Sequence, residues 1–130
     1  MPTAPRTRKK KKVAFILGGG ASRGAYQAGC LKRLDEEGIV PDLVIGSSIG
    51  VCNSLVYASG GAEALWGFWS RAVALPQILD VSLRRNALFG NSFFSGGRLQ
   101  RFVEQEVDFE KCFESETELT YVVTNLSAGH

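Results

Sequence analysis

Leu43-Val44-Ile45-Gly46-Ser47-Ser48-Ile49-Gly50 is the stretch that decides the fold. A short apolar run, typical of a buried parallel strand, passes into the pattern G-x-S-x-G and then into a helical segment. Gly46 and Gly50 leave room for a tight strand-to-helix corner and for close packing of the helix on the strand. Such a corner lifts the Ser48 hydroxyl into reach of a base and a substrate. The same grammar occurs once before. Val13-Ala14-Phe15-Ile16-Leu17 runs into Gly18-Gly19-Gly20-Ala21-Ser22-Arg23-Gly24. Backbone N–H groups at the helix start that follows can hold an oxyanion or a phosphate. An attacking group and a place for the charge that attack creates, one βα unit apart, point to acyl transfer at a serine.

Working outward, the first strand is read over 13–17 and a helix over 24–37, with Tyr26, Cys30, Leu31 and Leu34 toward one face. Gly38 stops that helix and Pro41 prevents its return. The second strand is read over 42–45 and a helix over 48–58, ended by Gly60-Gly61. The crossover between the strands is long enough for a helix, so the strands are expected to be parallel. A further helix over 62–72 carries Trp66, Phe68 and Trp69, and both tryptophans are expected in the core, with a lipid-facing edge as the alternative. Pro76 breaks the pattern, 84–97 reads as an irregular loop with aromatics, and 98–107 as a helix. Leu119-Thr120-Tyr121-Val122-Val123-Thr124 is a third strand, rich in β-branched residues. The order implies an α/β fold: a three-layer, doubly wound, mostly parallel sheet with a nucleophile elbow.

The chain of 130 residues is sized for one domain, and 45% hydrophobic with 22% charged residues is ordinary for a globular protein. Residues 1–12 hold six of the 15 basic residues and no acidic ones, so the remainder carries nine basic and 13 acidic residues, a net of −4. Arg6 to Lys12 is therefore a basic tail, residues 1–12, read as a flexible solvated arm, with contact to anionic headgroups as the alternative. No signal peptide is visible and no run reaches the ~20 apolar residues of a bilayer span. The reading is cytoplasmic, with peripheral membrane contact through residues 6–12 as the extension. Cys30, Cys52 and Cys112 are odd in number and lack C-x-x-C spacing, which argues against a disulfide framework and a zinc site. They are read as free thiols, Cys30 and Cys52 as small core residues. His130, the one histidine, is read as a frayed terminus.

Two nucleotide-binding readings fail on the residues. In Gly18-x-Gly20, Arg23 stands where a dinucleotide fingerprint needs its third glycine, and no acid ends the second strand. A P-loop needs Gly-Lys-Ser/Thr, which is absent. Neither a cofactor nor a nucleic-acid partner is expected, and no metal.

Leu17 to Leu31, followed by Gly46-Ser47-Ser48-Ile49-Gly50, resembles the patatin-like phospholipase domain, as does the strand-and-turn segment from Tyr121 to Gly129. The resemblance covers roughly residues 13–130 and implies a serine acyl hydrolase acting on phospholipids and other lipid esters. It implies a Ser–Asp dyad that uses neither histidine nor metal. Ser48 is then the nucleophile, and the backbone of Gly19, Gly20 and Ala21 the oxyanion hole. Gly18, Arg23, Gly24, Gly46 and Gly50 are the supporting motif, Arg23 helping to order the loop. Aligned through Arg23-Gly24-Ala25-Tyr26, the family's third glycine falls on Ala21 and Gly18 is one position early. Ser47 and Ile49 stand where threonine and alanine are common.

The family's catalytic aspartate lies in an Asp-Gly-Gly or Asp-Gly-Ala motif. Here Asp35, Asp42, Asp80 and Asp108 are the only aspartates, and none precedes glycine. The expectation is that residues 13–130 are the N-terminal, truncated part of such a domain, with the dyad aspartate outside it. The rival readings are a non-catalytic lipid- or membrane-binding module, and an acyltransferase sharing the elbow.

Overall fold

The computed structural model describes residues 11–74, 101, 103–125 and 127. Arg6, Arg8, Lys9 and Lys10 of the tail, Pro76, Asp80, the 84–97 loop, part of the 98–107 helix and His130 lie outside these residues.

The elements run β1 (Ala14–Leu17), a 3-10 turn (Ala21–Arg23), α1 (Gly24–Glu36), β2 (Leu43–Ser47), α2 (Ile49–Ala74), α3 (Phe109–Glu114) and β3 (Glu118–Val122). The sheet order is β1-β2-β3 with both pairings parallel. This is the α/β arrangement expected from two strands that each lead into a helix. β2 is central, and its Val44 and Gly46 are buried. The third strand begins one residue earlier than its sequence suggests and stops at Val122, which pairs with Ser47. Beyond Ser47 the partner strand turns into the corner, so Val123 and Thr124 have no ladder to join.

α1 ends as its residues dictate. Gly38 takes a left-handed φ of 71°, Gly38 N–H donates to Asp35 at 2.8 Å and Ile39 N–H to Leu34 at 2.9 Å. That is the paired closure of a glycine-capped helix end. Its buried face is Gly24, Ala28 and Leu31, at i, i+4 and i+7. Tyr26 and Cys30 do not join it and are exposed. The small residues make the contact ridge because α2 comes close. A β-carbon on Gly24 would stand 2.6 Å from the Trp69 ring and 2.8 Å from Ile49.

The two helices read over 48–58 and 62–72 form α2, interrupted by a non-helical Gly61 with φ of 73°. α2 supplies most of the core: Ile49, Val56, Tyr57, Ala62, Leu65, Phe68, Trp69 and Ala72 are buried beside Leu17, Leu31 and Val44. Phe68 and Trp69 meet edge to face at 5.7 Å. Trp66 is not in the core; 46% of it is exposed. The buried stripe runs through Leu65, Phe68, Trp69 and Ala72, and Trp66 falls on its flank, where the Lys32 ammonium lies 5.9 Å from its ring centroid. Lys32 also pairs with Glu63, tying α1 to α2.

Of the 98–107 helix, Arg101 and residues 103–106 are helical, and Val103 and Val107 are buried. α3 was not expected from the sequence. Asp108 caps it, its carboxylate accepting from the Lys111 N–H at 3.2 Å.

Candidate active site

Ser48 occupies the single-residue corner between β2 and α2. Its φ is 54°, the left-handed region that non-glycine residues avoid. Strand geometry ends at Ser47, helix geometry begins at Ile49, and the Val51 N–H closes the first turn on the Ser48 carbonyl at 2.9 Å. Ser48 is exposed, whereas Gly46, Ile49 and Gly50 around it are buried. The corner depends on missing side chains. A β-carbon on Gly46 would stand 2.8 Å from the Gly50 carbonyl oxygen, and one on Gly50 2.7 Å from the Leu17 carbonyl carbon. The start of α2 puts the positive end of its dipole beside the hydroxyl-bearing residue.

The glycine turn after β1 lies against this corner. A β-carbon on Gly19 would stand 3.1 Å from the Ser48 β-carbon and 3.8 Å from its Oγ. Gly19 is exposed and Gly20 and Ala21 half-buried, so the backbone here is open to a ligand. Ala21 is the second non-glycine residue in the left-handed region, with φ of 52°. Backbone strain in a folded domain is concentrated where function needs it, and here the two strained residues sit on the two turns that face each other. Arg23 folds back on the turn: its backbone N–H donates to the Gly20 carbonyl at 3.0 Å, and its Nε reaches the same oxygen at 3.4 Å.

A polar chain that sequence reading missed runs from the buried Trp69 and Asn53 out to the exposed Gly18 carbonyl. The Trp69 indole N–H donates to Asn53 Oδ1 at 2.8 Å. Asn53 Nδ2 donates to the Gly24 carbonyl at 3.0 Å and to Gln27 Oε1 at 2.8 Å. Gln27 Nε2 donates to the Gly18 carbonyl at 2.7 Å. Asn53 is fully buried, yet no buried side-chain polar atom lacks a partner among the described residues. The available signal was a polar residue four positions after Ile49, on a face otherwise apolar.

The described aspartates belong to other parts of the fold. Asp42 stands at the opposite end of β2 from Ser48, its carboxylate accepting the Val13 N–H at 2.8 Å. Asp108 caps α3, and its hydrogen bond from the Lys111 backbone holds its carboxyl below the usual aspartate range. Asp35 lies in the last turn of α1. Burial pushes the Cys52 thiol, one helical turn from Ser48, above the ordinary cysteine value. Among the described residues no group of His, Cys, Asp and Glu could hold a metal ion, and no helix is long and apolar enough to cross a membrane.

This arrangement, an exposed serine on a strained corner at a helix start with a glycine backbone pressed beside it, suits nucleophilic attack followed by oxyanion capture. Comparison with known proteins shows the family. The family model described as patatin-like phospholipase matches residues 15–124. The chain is 29% identical over 102 residues to mouse (Mus musculus) "Patatin-like phospholipase domain-containing protein 6", covering 74% of this chain and 8% of that protein. It is 31% identical over 103 residues to "Patatin-like phospholipase domain-containing protein ZK370.4" of Caenorhabditis elegans, covering 74% and 8%. A shorter match, 46% over 48 residues, is to "Lysophospholipase nte1" of Aspergillus terreus, covering 37% and 3%. The chain thus spans less than a tenth of the length of these relatives. No solved structure matches it significantly.

Proposed function

Because this chain belongs to the patatin-like phospholipase family, we propose that it carries the nucleophile and the oxyanion hole of a serine acyl hydrolase acting on lipid esters, phospholipids foremost. The observation that carries this reading is the pairing of Ser48 at φ 54° with the glycine turn packed against it. Ser48 Oγ attacks the ester carbonyl carbon and passes its proton to an aspartate supplied from outside residues 13–130. The negative charge on the former carbonyl oxygen rests on the N–H groups of Gly19, Gly20 and Ala21. The tetrahedral intermediate collapses, the alcohol leaves with the proton, and the acyl group stays on Ser48. Water then attacks the acyl-Ser48 ester and releases the fatty acid. Gly18, Arg23, Gly24, Gly46 and Gly50 shape the two turns and take no part in bond making.

Preorganised N–H donors are the larger asset in such a site, each worth about 2.7–4 kcal/mol of transition-state stabilisation in comparable enzymes. The basic residues of the first 12 positions are proposed to bring the site to an anionic lipid surface, each contributing about 1 kcal/mol near such a surface.

A fluorophosphonate probe tests the reading. The purified chain is expected to gain one adduct by intact mass, and the Ser48→Ala variant none. A folded chain that stays unlabelled would instead favour a hydrolase whose activating aspartate is missing from this chain, or a lipid-binding module without catalysis.

A further inference from the structure

We propose that Asn53 and Gln27 are positioning residues that fix the direction of the Gly19 N–H through a one-way hydrogen-bond relay from the Trp69 indole to the Gly18 carbonyl. The inference rests on the reading above, in which Gly19 is an oxyanion donor, and adds how that donor is aimed.

The direction of the relay follows from its ends. An indole nitrogen only donates and a carbonyl oxygen only accepts. Facing Trp69 at 2.8 Å, Asn53 must present Oδ1, which turns Nδ2 toward Gln27 Oε1 at 2.8 Å. Gln27 then has Nε2 left for the Gly18 carbonyl at 2.7 Å. Each amide has one satisfying orientation, and reversing either would break a bond at both of its ends. The second Nδ2 hydrogen of Asn53 goes to the Gly24 carbonyl at 3.0 Å, which pins the start of α1 to the same group.

The consequence for the glycine turn comes from peptide geometry. In a trans peptide the C=O and the following N–H lie in one plane and point in opposite directions. All peptides described here are trans. Holding the Gly18 C=O on Gln27 therefore sets the direction of the Gly19 N–H, on the glycine that packs against Ser48. Gly18 is exposed and a β-carbon on it would meet nothing within 4 Å, so on the Gly18 side of this peptide the Gln27 bond is the contact that holds the carbonyl. The relay begins on α2, the helix that the Ser48 corner opens, so donor and nucleophile share one frame.

Gln27→Glu and Gln27→Leu test this in the full chain. Glutamate still accepts from Asn53 but has no N–H for Gly18; leucine does neither. Two readouts are taken: the backbone amide NMR shifts of Gly19 to Ala21, and the fluorophosphonate labelling rate of Ser48. Both variants are expected to keep the wild-type circular dichroism spectrum and to move the Gly19 amide shift, because the Gly18 carbonyl of that peptide loses its donor. Labelling should slow about tenfold, less than the ~100-fold of deleting a whole donor. Asn53→Asp, which keeps the Trp69 bond and loses both donations, should reproduce the pattern. An unchanged Gly19 shift in both Gln27 variants overturns the relay. A moved shift with unchanged labelling overturns its part in aiming the donor. A wild-type chain that does not label overturns activity of this chain alone, and the shift data still decide whether the relay holds the turn.

Discussion

Gly50 and Leu17 interlock: the Gly50 backbone lies so close to β1 that a β-carbon on it would stand 2.7 Å from the Leu17 carbonyl carbon, and closer to its oxygen. This contact joins the helix that follows the serine corner to the strand that precedes the glycine turn. It holds the two halves of the site together, and both partners are backbone, so neither can rotate away.

Gly50→Ala should therefore be among the most damaging single-methyl changes in the chain. Overpacking a close-packed site costs typically about 1–3 kcal/mol and more where backbone must move; about 3 kcal/mol is expected here. Gly29→Ala is the counterpart. It sits inside α1, where a new β-carbon would meet only the Trp66 ring at 3.9 Å, ordinary contact. Removing a glycine from a helix interior should stabilise by about 0.5–1 kcal/mol. Urea unfolding of the two variants beside the wild type checks both signs. A neutral Gly50→Ala would mean that α2 does not seat on β1 this way.

Ser48 stores strain, and its removal should be measurable as stability. A left-handed φ costs an L-residue about 1–2 kcal/mol, and glycine nothing. Ser48→Ala keeps the strain and Ser48→Gly relieves it. Part of that relief is offset by the greater freedom of glycine in the unfolded chain. Ser48→Gly is expected to be about 1 kcal/mol more stable than Ser48→Ala, with both variants unlabelled by a fluorophosphonate. Thermal or urea unfolding settles it; equal stabilities would show that the corner is not strained in solution.

The α/β class, the parallel pairing and both turns were legible because each rests on local chemistry: an apolar run, then glycines where backbones must touch. The closure of α1 at Gly38 was legible for the same reason. What escaped depends on partners distant in sequence. The buried face of α1 is Gly24, Ala28 and Leu31 rather than the face holding Tyr26, because α2 needs small residues against Trp69. Trp66 and Trp69 are alike in sequence, yet only the neighbours of α2 decide that Trp69 donates to a buried Asn53 while Trp66 lies under Lys32. α3 is short, and its start is marked only by Asp108.

The three thiols should separate by reactivity in an order set by that packing. Cys30 is exposed, although its place on α1 suggested the core. Cys52 and Cys112 are half-buried, and burial raises both thiols above the ordinary cysteine value. The Cys112 thiol also donates to the Leu55 carbonyl at 3.3 Å. The thiolate is the reacting form, so a raised value leaves less of it at any pH below that value. Iodoacetamide at pH 8 is expected to modify Cys30 first and to add to Cys52 and Cys112 at least about tenfold more slowly. The lag should narrow as pH rises, because the two raised thiols are still gaining thiolate there. Peptide mapping of a timed alkylation series reads the order directly. Cys52 reacting as fast as Cys30 would mean that the first turns of α2 open in solution, and that the helix behind Ser48 is looser than its packing implies.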